Sequence, residues 1–422
     1  MQKKSLQRWI AFYLAFLMLI TTMIPSSFSM VAKASDSSLV LLESSGWLES
    51  AYVKWVPMQE ADGYVVYVKN AKDGDEAYVK LDNELIREYP TYYRADAVGL
   101  SEGVYLMKVV PVIAGVEVDE KAATTETLIV SAHVREGFAF SEFSKYKTGS
   151  GGYNEDGTVR ENAQIIYLTN ENKDTVSLDV IISSKGETET ATGIFDILAK
   201  REKGKDLRPL IIRMIGKVEM PTGVKGYLLN VKKTFNVTIE GIGEDATVHG
   251  WGFLVRESKN VEIRNLGIMW FGDDGISLDT KNENVWIHNN DLFYGAPGSD
   301  SDQVKGDGSV DVKALSTYVT ISFNHFWDSG KSSLAGMSDT EEFFITYHHN
   351  WYDHSDSRHP RIRVGSIHIY NNYFDGVSKY GVGVTKGASA FVESNYFRNC
   401  KYPMLSSNQG TDVYNSATGA YT

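Results

Sequence analysis

The chain has 422 residues, a formal net charge of −12, 42% hydrophobic residues and 12% aromatics. That length leaves room for two folded units, and the apolar content excludes a largely disordered chain. The acidic balance argues against nucleic acid as a partner, although a local basic groove can still hold an acidic polymer.

The first residues read as a secretory leader. Lys3, Lys4 and Arg8 precede an apolar run from about Trp9 to Ile24, and Ala32-Lys33-Ala34 offers small residues for cleavage before Ser35. Removal of residues 1–34 would leave a secreted, extracellular chain, an uncleaved anchor being the alternative, and no other stretch is apolar enough for long enough to span a bilayer. Cys400 is the single cysteine, so no internal disulfide can form and stability must come from packing, backbone ladders and bound ions.

Between residues 37 and 131 short alternating runs predict strands: Ala51-Tyr52-Val53-Lys54-Trp55, Gly63 to Val68, Tyr78 to Leu81 and Val104 to Val109. Turn signals such as Asp62-Gly63 and Asp73-Gly74 separate them, which fits a small β-sandwich. Trp55 followed by Ala61-Asp62-Gly63-Tyr64-Val65-Val66-Tyr67 resembles a fibronectin type III module. No polar cluster in this part suggests chemistry, so it reads as a spacer or binding module.

From residue 133 to 422 the organisation changes. Apolar pairs recur at Val237/Ile239, Val261/Ile263, Val285/Ile287, Val319/Ile321, Ile345/Tyr347, Ile367/Ile369 and Ala390/Val392, in steps of 24, 24, 34, 26, 22 and 23 residues. Such spacing predicts one coil of a solenoid per repeat. Asn290, Asn324, Asn350, Asn372 and Asn395 each stand five places after the start of a pair, and stacked amides at a repeated turn can bond along the coil. Phe293, Phe326, Tyr352, Phe374 and Phe397 follow closely and are expected to stack in or along the same column. The repeats are too short for βα units. The fold class is therefore all-β, a right-handed parallel β-helix preceded by a small β-sandwich. The long step holds an insertion from Gly295 to Asp311, and a swelling on one face of a solenoid is a natural place for a site.

Two clusters could carry chemistry. Asp307 and Asp311 lie four apart at the end of the insertion, and Asp274 falls at the matching edge of the preceding coil. Coils stack about 4.8 Å apart, so these carboxylates can converge, and three hard oxygen ligands suit Ca²⁺ better than Zn²⁺. Asp273, Asp300 and Asp302 are further candidates; a solvated acidic loop is the alternative. The second cluster is Arg358, Arg361 and Arg363, one coil from Lys331. Arg361 and Arg363 would share a strand face and could either pair with surface acids or hold an anion. His348, His349, His354 and His359 lack HExxH spacing and read as structural.

Taken in order, Asp307-Gly308-x-x-Asp311, Tyr318 to Ser322, Lys331 to Gly336, Ser338-Asp339, His348-His349-Asn350 and Arg358-x-Pro-Arg-x-Arg363-x-Gly365 resemble the calcium-dependent pectate lyases of polysaccharide lyase family 1. Asn284-Val285-Trp286-Ile287 and Ile165 to Asn170 fit as well, and the likeness covers roughly Phe138 to Ser407. It implies that Asp274, Asp307 and Asp311 hold Ca²⁺, that Arg358 is the catalytic base, and that Lys331 and Arg363 grip carboxylates of polygalacturonate (pectate). The expected reaction is β-elimination by a monomeric extracellular enzyme. A galacturonan hydrolase and a non-catalytic cell-wall polysaccharide-binding β-helix are the alternatives. Two departures stand out: His288-Asn289 after Val-Trp-Ile, and Ser329-Gly330 before the lysine. The family usually continues beyond the position of Thr422, so the chain is expected to be a fragment.

Overall fold

The computed structural model describes residues 38–298, 304–337 and 339–407. The expected leader, Asp300, Asp302, Ser338 and the last residues before Thr422 lie outside the described residues. Among the described residues no helix is long and apolar enough to cross a membrane.

Residues 41–130 form two antiparallel sheets. One has four strands in the order Leu41–Gly46, Ser50–Trp55, Tyr93–Val98, Ile86–Glu88. The other has six and is centred on Gly103–Ile113, which pairs with Gly63–Asn70 over eight registered positions. Alternation decides the inside: Ala51, Val53 and Trp55 are buried while Ser50, Tyr52 and Lys54 are partly exposed. Trp55 stacks against Tyr93 and meets Tyr64 edge-on. This core also takes in Ile242, so it is continuous with the solenoid. Arg87 Nη1 donates to the Ile242 carbonyl at 2.9 Å, and Tyr167 Oη donates to Asp82 at 2.5 Å across the same junction.

The remainder is a parallel β-solenoid. One sheet has eight strands, one for each turn: Leu228–Lys232, Gly252–Arg256, Ile276–Leu278, Val310–Val312, Leu334–Ala335, Arg361–Arg363, Val382–Thr385 and Met404–Ser407. Another, of fifteen strands, has two limbs joined through the long strand Phe235–His249. The repeated apolar pairs face inward along the first limb, with Val285 opposite Val319 and Ile321 opposite Tyr347. They merge into one core from Ile166 to Val382.

The asparagine column stands at the corner between the limbs. Asn290, Asn324, Asn350 and Asn372 each donate their side-chain amide to the next asparagine's Oδ1 at 2.9–3.1 Å. The residue before each takes the left-handed conformation that turns the chain, as at Asn289 (φ 52°), His349 (φ 53°) and Asn371 (φ 53°). The side-chain oxygen then accepts the backbone N–H of the preceding asparagine, for example Asn324 N to Asn350 Oδ1 at 3.1 Å. Phe326, Tyr352, Phe374 and Phe397 stack behind the column at 4.3–4.8 Å. Phe293 does not join them. Leu292 is the residue registered with Phe326, and Phe293 lies one step along, tilted against Trp327.

One element departs from the all-β expectation. Ile194–Arg201 is an α-helix whose Ile194, Ile197 and Leu198 enter the solenoid core, with Asp196 and Lys200 paired one turn apart. A further segment straps the outside of the first limb. Its backbone amides at Phe138, Ala139, Gly151 and Gly152 bond Thr346, Thr320, Asn260 and Thr238 respectively, at 2.9–3.0 Å.

Candidate functional site

The candidate residues gather on the outer face of the eight-stranded sheet and on the turns that lead into its strands. In the short strand Val310–Val312 the two valines fill the core, so Asp311 faces outward opposite Ser277. Lys313, two residues on from Asp311, shares that face. In Arg361–Arg363 the same alternation buries Ile362 and turns both arginines outward. The entry turns are bridged as well, Gly308 to Lys331 and Lys331 to Ser357, which aligns the residues flanking three successive strands.

The carboxylates do converge. Asp273, Asp274 and Asp307 each offer an oxygen within 4.8 Å of the others. Asp273 rather than Asp311 completes this tight group, because Asp311 lies inside the strand Val310–Val312, opposite Ser277, whereas Asp274 lies in the turn before Ile276–Leu278. Asp311 Oδ1 accepts the Leu334 N–H at 2.9 Å and its Oδ2 lies 3.5 Å from Lys313 Nζ. A Cβ on Gly308 would collide with the Asp311 carboxylate, so the glycine leaves that group its place.

Lys313 was not anticipated from the sequence, where it reads as an ordinary surface lysine. Its ammonium donates to Asp274 Oδ2 at 2.6 Å. Burial works against that charge, yet Asp311 and Asp274 hold the Lys313 pKa above the ordinary lysine value. Burial and then the neighbouring Asp274 push the Asp311 carboxyl up to about 7. Asp273 is raised by burial and by the charges of Asp274 and Asp307. Crowded carboxylates that draw in an ammonium mark a place that favours positive charge. A donor set of carboxylate oxygens alone suits a hard divalent ion such as Ca²⁺, which the residues present therefore fit.

The cations flank this acidic patch. Lys331 is almost fully buried and lies 3.3 Å from Asp307 Oδ1. Arg358 takes a left-handed backbone conformation (φ 65°), its carbonyl accepts Ser333 N–H at 2.7 Å, and its charge reaches Asp311. Arg363 donates to the Met337 carbonyl at 3.0 Å; burial and then the Arg358 charge lower its pKa. The face thus holds a carboxylate cluster with cations beside it, an arrangement able to bind acidic groups both directly and through a metal.

Residues 222–419 match the pectate lyase family model. The chain is 34% identical over 226 residues to a pectate trisaccharide-lyase of Bacillus licheniformis, covering 52% of this chain and 65% of that protein. It is 36% identical over 199 residues to a probable pectate lyase A of Aspergillus fumigatus, covering 45% and 60%. The chain therefore spans somewhat under two thirds of these curated relatives. Its fold is similar to the crystal structure of a pectate lyase from Bacillus sp. N165 in complex with trigalacturonate, with TM-score 0.52, 25% identity and coverage of 68% and 80%.

Of the two departures from the pectate lyase pattern, one falls on another sheet and one lies in the entry turn that carries Lys331. His288 is buried on the fifteen-stranded sheet, stacked on Trp286 and 3.0 Å from Glu262 Oε1. Ser329 is buried and bonds Ser309 Oγ at 2.8 Å, and the Gly330 carbonyl accepts Ser357 Oγ. The histidines lie elsewhere too: His359 is buried between Ser355 Oγ and the Tyr380 carbonyl, and His348 meets His349.

Proposed function

We propose that the chain is a secreted, calcium-dependent pectate lyase that cleaves 1,4-linked polygalacturonate by β-elimination. The observation that carries this reading is the single face on which Asp273, Asp274, Asp307 and Asp311 stand beside Lys331, Arg358 and Arg363. The likeness to pectate lyases supports it. The same reading takes residues 37–131 as a fibronectin type III-like module and the solenoid as right-handed.

In galacturonate the C5 proton lies α to the carboxylate, and its removal builds negative charge on that carboxylate. Lys331 and Arg363 would face this group as fixed counter-charges that need no reorganisation as the charge grows. Arg358 would accept the C5 proton; the electron pair left behind forms a C4=C5 double bond as the C4–O bond breaks, and the departing oxygen takes up a proton from solvent. Asp273, Asp274 and Asp307 would hold Ca²⁺ with Asp311 beside them, and the ion when bound supplies Lewis-acid stabilisation of the uronate. Guanidinium ordinarily stays protonated to above about pH 12, so a base of this type demands cationic neighbours and alkaline conditions. The role of Arg358 rests on the family likeness.

The test is direct: incubate the protein with polygalacturonate, with and without a chelator, and follow the ultraviolet absorbance of the unsaturated product. Reducing ends without that absorbance would indicate hydrolysis instead.

A further inference from the structure

Outside the charged face lies a second ion cluster. Lys305 Nζ is 2.6 Å from Asp328 Oδ1 and 3.3 Å from Asp356 Oδ1. Asp356 also accepts Ser378 Oγ at 2.7 Å. Each member belongs to a different coil, and each lies just upstream of a site residue: Lys305 two before Asp307, Asp328 three before Lys331, Asp356 two before Arg358. The Lys305 carbonyl accepts the Gly295 N–H at 3.0 Å, so the same residue closes the neck of the insertion. Asp328 N donates to the Asp353 carbonyl and Asp356 N to the Ser329 carbonyl, which ties the turns' backbones to one another.

We propose that Lys305, Asp328 and Asp356 form a positioning triad that sets the three turns carrying Asp307, Lys331 and Arg358 relative to one another. The proposal rests on the reading of those three as site residues. Partly exposed ion pairs contribute little to global stability, so a triad kept only for stability has a weak physical rationale. A triad that fixes spacing has a stronger one. Reacting groups displaced by about 1 Å can lose on the order of 100-fold in rate, and the triad adds a side-chain link across turns that the backbone bonds already hold in register. None of the three needs to touch substrate.

The experiment compares Lys305→Ala, Lys305→Arg, Asp356→Asn and the wild type in the full chain. It measures kcat and KM on polygalacturonate, the thermal midpoint, and amide hydrogen exchange at residues 306–309, 330–333 and 357–358. The expected result for Lys305→Ala is a kcat about tenfold lower, little change in KM or thermal midpoint, and faster exchange in all three turns together. Lys305→Arg should restore most of both. Exchange that rises only next to residue 305, or a kcat lost only in step with the thermal midpoint, would overturn the triad. If the wild type does not cleave polygalacturonate, the functional reading fails, and the exchange measurement decides the triad by itself.

Discussion

The Lys313 ammonium lies 2.6 Å from the Asp274 carboxylate and 3.5 Å from that of Asp311. It therefore sets a positive charge against two buried carboxyl groups. Replacing it with alanine should destabilise the ion-free protein by up to about 3 kcal/mol, because buried carboxylates lose their partner. Saturating calcium should then raise the thermal midpoint of Lys313→Ala by more than it raises that of the wild type. Equal calcium-induced shifts in scanning calorimetry would count against a metal site at these carboxylates.

Arg358 can be separated from its cationic neighbours by kinetics. A proton acceptor acts only in the chemical step, so Arg358→Lys should lower kcat by about 10²–10⁴-fold with little change in KM. Lysine keeps the charge but loses the guanidinium's reach and geometry. Lys331→Ala and Arg363→Ala should raise KM as well. Near-normal kcat in Arg358→Lys would reassign Arg358 to binding.

Asn350 is buried and its side chain makes four bonds, to Asn372 and the Ile321 carbonyl and from the backbone and side-chain amides of Asn324. Asn350→Ala strands those partners and should cost about 1–3 kcal/mol. Asn395 at the partly exposed end of the column should cost less when replaced. Denaturant midpoints of the two variants provide the comparison.

Stability should fall in acid for a definite reason. Burial, and next the charge of His349, lower His348 to about 3, and burial lowers His359 to about 4. The unfolded imidazoles protonate near pH 6.5, so below that the unfolded state binds more protons and folding free energy is lost as pH drops toward 4. Thermal midpoints from pH 7.5 to 4.5 should decline, and His348→Gln should flatten the decline.

Much of the solenoid was legible because its signals repeat. The apolar pair recurs in seven coils, and the five asparagines that follow the later pairs form the observed ladder. The eight-stranded sheet was harder to read, since Leu334–Ala335 or Ile276–Leu278 is too short to establish a period. That is also why Lys313 escaped notice although it lies two residues beyond Asp311. Phe293 was misplaced because Asp291–Leu292 is a two-residue strand, where one step decides which face a ring takes. The helix Ile194–Arg201 was readable in its i, i+3, i+4 apolar spacing, but it is a single turn-and-a-half of signal among strands.

A stack of repeats joined only to its nearest neighbours can peel from an open end, one coil at a time. The strap from Phe138 to Gly152 changes that here. Because its amides are bonded at once to coils as far apart as Thr238 and Thr346, no intermediate coil can come away without tearing a contact that also holds the others. Mechanical pulling on this part of the molecule should therefore give one tall rupture where an unstrapped solenoid would give a staircase of small ones.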